Sequence, residues 1–170
     1  MSEETKDKQS QGTVLLWIVA GFLLIAISMV AVYKAWPMLF PEISQSAVVD
    51  PQCDLRQGPC VSSIDTDVQI SFSIQPKEIP LVKPLELHVQ VKGVNAHKVE
   101  VDFVGVDMNM GFNRVVLQQY EAGLYEGDGM IPVCVRDSME WEAKVLITTD
   151  QGLLSAPYRF ITVRPGIPLP

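Results

Sequence analysis

A chain of 170 residues with 48% apolar and only 19% charged side chains, at a mean hydropathy of +0.20, is too apolar for one ordinary soluble domain. Such values point to a membrane segment that carries part of the hydrophobicity. The net charge is −7, and all of it lies from Phe40 onward, where 10 Lys and Arg face 17 Asp and Glu. That balance excludes a nucleic-acid partner, because phosphate binding needs a basic footprint, and it disfavours anionic membrane surfaces.

Residues 1–12 (MSEETKDKQSQG) are polar and read as a short disordered cytoplasmic tail. Residues 13–36 read as a transmembrane anchor. Within them the run from Val14 to Val32 is 19 residues without a charge. At about 1.5 Å per residue such a helix crosses a hydrocarbon core of about 30 Å. Trp17 lies near one end, Tyr33 and Trp36 near the other, where amphipathic rings favour the interface, and Pro37 is expected to stop the helix. The run is longer than a signal-peptide core and is followed by no small-residue cleavage site, so it reads as uncleaved. Lys6 and Lys8 precede it and Lys34 alone follows closely. This bias predicts an inner-membrane protein, single-pass, with its N-terminus cytoplasmic and its C-terminal domain periplasmic.

Residues 37–66 read as an irregular linker. In it Cys53 and Cys60 flank DLRQGP, a turn-prone segment, and a disulfide between them is expected in an oxidising compartment. Cys134 is then the odd thiol. From 67 to 165 the hydrophobic period becomes two. Val68, Ile70, Phe72 and Ile74 alternate with polar residues; so do Leu85, Leu87, Val89 and Val91, then Val99, Val101 and Phe103. Less regular strands follow at Arg114 to Tyr120 and from Leu124 to about Pro132. Trp141, Ala143, Val145 and Ile147 form a sixth, and Tyr158, Phe160 and Thr162 mark the last. Seven short strands without a helical pattern among them predict an all-β fold: an immunoglobulin-like antiparallel β-sandwich preceded by one N-terminal transmembrane helix. Residues 166–170 read as a loose tail.

No catalytic residues are expected, and the chain does not read as an enzyme. His88 and His97 are the only histidines, and GxSxG, P-loop and HExxH patterns are absent. Sulfur is more informative. Met108, Met110, Met130 and Met139 all fall in the second half of the β region, and thioethers with a thiolate are soft ligands that suit Cu(I). Met108 and Met110 lie in GVDMNMGFN, rich in turn formers; Cys134 and Met139 flank VRDS on the connection after the fifth strand. If strands alternate in direction, the connections after the third and fifth lie at one end, with Met130 near it and His97 at the other. The competing reading is equally physical: methionine fills cores, Met130 faces inward or Met139 packs beside Trp141, and Cys134 is a buried thiol as readily as a ligand.

The tail, single anchor, small all-β domain and the run MNMGFNRVVLQQYEAGLYEGDGMIPVCVRDSMEWEAKV resemble the FixH/YtkA-like proteins, over residues 14–36 and 85–150. The most specific part is M-x-M-G-x-N, then a glycine-rich hairpin, then the M-x-W of Met139 and Trp141. The resemblance implies a periplasmic factor for haem–copper oxidase assembly and copper handling. Its partners would be an inner-membrane respiratory oxidase complex or other copper-handling proteins. The ligands it carries over are Met108, Met110, Cys134 and Met139, for Cu(I). The His-Met motif of other periplasmic copper chaperones is absent. The alternative is a metal-free interaction module that docks on and stabilises a membrane respiratory complex.

Overall fold

The computed structural model describes residues 3–39, 43–164 and 166–168, with side chains for 16–36, 43–164 and 166–168. The chain divides into two units, one up to Glu42 and one from Ile43. The first is a single helix, α1, Glu3–Leu39. Its Leu16–Trp36 stretch of 21 residues is long and apolar enough to cross a membrane. Leu16, Trp17, Phe22, Leu24 and Met29 all present their side chains outward, so no face of the helix is reserved for a protein core. Helical backbone starts at Glu3, where a disordered tail is expected from sequence; Glu, Lys and Gln there are good helix formers, and acidic residues suit a helix start. The side chains of Lys6 and Lys8, on which the orientation argument rests, lie outside the described residues. Pro37 does not stop α1, which ends two residues later at Leu39. Proline's fixed φ is itself helical, and its missing N–H removes a single bond of the last turn.

The second unit is one curled sheet of nine strands rather than two separate sheets. In chain order they are β1 (Ile43–Ser46), β2 (Cys60–Ser63), β3 (Gln69–Gln75), β4 (Leu85–Lys92), β5 (Lys98–Gly105), β6 (Arg114–Glu121), β7 (Leu124–Gly129), β8 (Ser138–Thr149) and β9 (Gly152–Val163). Across the sheet they follow the order β1-β9-β8-β5-β6-β7-β4-β3-β2. The period-two pattern sorts side chains as expected: Leu85, Leu87, Val89 and Val91 of β4 point inward while Glu86, Gln90 and Lys92 face water. β8 and β9 form the longest hairpin, paired from Ser138↔Val163 to Thr149↔Gly152. Met139, Trp141, Ala143, Val145 and Ile147 face the core from β8, and Leu154, Ala156, Tyr158 and Phe160 from β9.

β6 turns the corner. Its first half, Arg114–Leu117, pairs with β5, and its second half, from Gln118, pairs with β7. Only Leu117 of β6 is buried, which explains its irregular sequence pattern. Curling brings β9 against β3 across the core. The Tyr158 hydroxyl donates to the Ile70 carbonyl at 2.8 Å, and the Phe72 and Tyr158 rings pack at 5.2 Å. The Trp141 indole N–H donates to Thr162 Oγ1 at 2.9 Å, satisfying a polar group that full burial would otherwise orphan.

Three expectations need correction. The stretch 37–66 is not an irregular linker throughout, because it carries β1 and β2. β1 joins β9 in parallel (Ile43↔Leu153) and β2 joins β3 (Cys60↔Phe72). Met139 does not lie on a connection: β8 begins at Ser138, and the inward phase of Trp141 and Ala143 extends one step back to Met139. β7 stops at Gly129, so Met130 lies past its end, 47% exposed and outside the core.

Candidate functional site

Because successive strands alternate, the β4–β5, β6–β7 and β8–β9 connections share one pole of the β unit. The β3–β4, β5–β6 and β7–β8 connections share the other. The chain enters β1 at the first pole, since Ile43 sits beside Leu153 at the β8–β9 turn. The four sulfur residues singled out in the sequence gather at the second.

Two loops and one strand build this cluster. The 106–113 loop leaves β5 after Gly105. Its backbone is held by Val106 N–H donating to Glu140 O at 3.0 Å and by an Asn109 side chain that caps Gly111 N–H at 2.8 Å. Gly111 has φ +81°, a left-handed turn that glycine adopts without strain. The 130–137 loop is pinned from below by fully buried Ile131, whose carbonyl accepts from Val82 N–H at 2.9 Å. Asn113 Nδ2 ties the two loops together by donating to Met130 O at 2.9 Å.

Within this frame the Cys134 thiol donates to the Met108 thioether, Sγ to Sδ, at 3.8 Å. Met139 and Met110 come in from β8 and from the loop, and both meet at Gly105. A methyl group on Gly105 would lie 2.2 Å from Met139 Cε, 2.4 Å from Met108 O and 3.2 Å from Met110 Cγ. The missing side chain at Gly105 is therefore the space these residues share. Nothing in the sequence pattern marked it beyond a glycine at the end of a strand.

Burial is graded across the cluster. Met139 is 3% exposed, Cys134 9%, Met110 half-buried, and Met108 38%. Phe112, Val133 and Val135, on the same two loops, are exposed, and the Arg114 guanidinium lies 5.2 Å from the Phe112 ring centre. Two ion pairs lie at the pole: Arg136 meets Asp107 at 3.6 Å and Arg164 meets Asp137 at 3.4 Å. Among the described residues no three His, Cys, Asp or Glu side chains come together to hold a metal.

The two histidines lie elsewhere. His88 faces outward from β4 and pairs with Glu126 at 3.1 Å; His97 is at the entry pole, 2.7 Å from Asp150. Cys53 and Cys60 form a disulfide. Its loop fills the seam beside β9: Leu55 is fully buried, and the Arg56 guanidinium donates to the Ile161 carbonyl. Burial lowers the Arg56 pKa from its usual value, partly offset by nearby Asp54. Compared with models of protein families, with characterised proteins and with solved structures, the chain matches none.

Proposed function

We propose that this chain is a membrane-anchored periplasmic accessory protein that binds Cu(I) through Met108, Met110, Cys134 and Met139, in the service of haem–copper oxidase assembly. The single observation that carries this reading is that sulfur residues of two loops and a strand share one pole, where Met139 and Met110 meet at Gly105 and the Cys134 thiol lies 3.8 Å from the Met108 thioether. A set of neutral thioethers with one thiolate is soft and suits Cu(I) rather than Zn²⁺ or Mg²⁺. The resemblance to FixH/YtkA-like proteins supplies the oxidase context. The Cys53–Cys60 disulfide supports an oxidising compartment for the β unit, hence a cytoplasmic N-terminus for a chain crossing the membrane through α1. The strand order, with β4 beside β7 and β5 beside β8, favours an immunoglobulin-like Greek key. No catalytic step belongs to this reading.

Anaerobic titration of the purified chain in detergent with Cu(I) tests it. Stoichiometric binding is expected, with a marked loss in a Met108→Leu, Met110→Leu double variant. Binding that the double variant leaves unchanged removes the reading. The exposed Phe112, Val133 and Val135 favour a second one, a metal-free module docking on a membrane respiratory complex. Co-purification with that complex, undiminished in the methionine variant and lost in Phe112→Ser, Val135→Ser, selects it.

A further inference from the structure

Resting on the Cu(I) reading, we infer that the cluster is asymmetric in function: Met139, Met110 and Cys134 retain the metal, and Met108 is the exchange ligand through which it enters and leaves. The graded burial carries this. Met139 is held in β8, paired with Thr162 and 3% exposed, and Cys134, on the 130–137 loop, is 9% exposed. Neither offers an incoming ligand more than a small fraction of its surface. Met108 differs in its exposure. At 38% it is the most exposed of the four sulfur residues.

Exchange at such a site is associative. A ligand atom of the acceptor forms a bond to copper from the solvent side as the Met108 sulfur–copper bond breaks. Copper remains Cu(I), the thioether keeps its lone pair, and no proton moves in that step. Cys134 gives up its proton when the metal loads and regains one when the metal departs. Phe112, Val133 and Val135 are exposed on the same two loops and offer apolar contact to the acceptor that brings the ligand.

The test uses the full chain in detergent, loaded anaerobically with one Cu(I). Affinity is measured by competition with bicinchoninate and transfer by the absorbance of excess bathocuproine disulfonate. Wild type is expected to transfer at a rate proportional to chelator concentration. Met108→Leu should weaken binding by less than about tenfold while transferring at least about tenfold faster, because no thioether must leave; Met139→Leu should weaken binding by about a hundredfold. Leucine for methionine nearly conserves volume, and circular dichroism checks each fold. Met110→Leu, half-buried, should follow Met139→Leu and replaces it should that variant misfold. Equal losses for Met108→Leu and the buried-ligand variants, or a wild-type rate independent of chelator, overturn this inference alone. A wild-type chain that takes up no Cu(I) overturns the metal reading and this inference with it.

Discussion

Gly105 shows how one missing side chain shapes a site. Of the atoms a methyl group there would strike, Met139 Cε is the yielding end of a flexible chain, but Met108 O is backbone and does not yield without moving the loop. Gly105→Ala is expected to cost about 1–3 kcal/mol as an overpacking change, read from the denaturant midpoint, and to abolish stoichiometric Cu(I) uptake. Retained uptake at wild-type affinity would show that the methionines do not need this gap. Tyr158 carries a second residue-scale expectation. Burial disfavours its phenolate and pushes its pKa up to about 12. An unfolded tyrosine ionises near about 10, so the folded state holds its proton more tightly. Its contribution is fully present below about pH 10 and is lost as pH rises from there through about 12. Tyr158→Phe, which loses the bond to Ile70 O, should cost about 1 kcal/mol at neutral pH and flatten the fall in melting temperature between those values. A variant curve parallel to wild type would assign the alkaline loss to other groups.

Among the elements, the disulfide loop acts as a plug. Cys53 and Cys60 close a short ring from which Leu55 enters the core and Arg56 reaches β9. Replacing both cysteines with serine should lower stability by about 2–3 kcal/mol in the denaturant midpoint, and excess reductant should do the same to wild type. No difference between oxidised and reduced protein would mean the loop is held by packing alone. The sequence was legible at this scale wherever apolar residues alternate. The cores of β3, β4, β5, β8 and β9 all fall where period two places them. β1 and β2 were not legible, for a physical reason. Each is four residues long; β1 is exposed along its whole length, and the alternate residues that β2 buries are Cys60 and Ser62, too short and too polar a stripe to register as a hydrophobic period. The site was half legible. Strand alternation predicts that Met108 and Cys134 share a pole, whereas Met139 was misplaced onto a loop because the start of β8 is set by pairing with β9.

For the molecule as a whole, the long apolar helix and the β unit impose different solvents. The Leu16–Trp36 span leaves its side chains bare, a state that water penalises and lipid does not. The chain is expected to stay with membranes through alkaline carbonate, and a fragment beginning at Ile43 to move to the soluble fraction. A fragment that still sediments with membranes would assign membrane affinity to the apolar pole at Phe112 and Val135 instead.

The parallel pairing of β1 with β9 also fixes an order in time. Ile43 finds its place only against Leu153, which follows it by 110 positions. Closing so long a stretch of chain carries an entropic penalty of about 4 kcal/mol that nearby pairs do not repay. As the polypeptide emerges from the ribosome, the part nearest the anchor must wait, unpaired, for the final hairpin to be made. The sheet therefore acquires its first strand last. Refolding should accordingly be slow, on the scale of milliseconds to seconds usual for distant β pairings, with protection of the Ala47 amide from hydrogen exchange, through its bond to Ser155 O, arriving late.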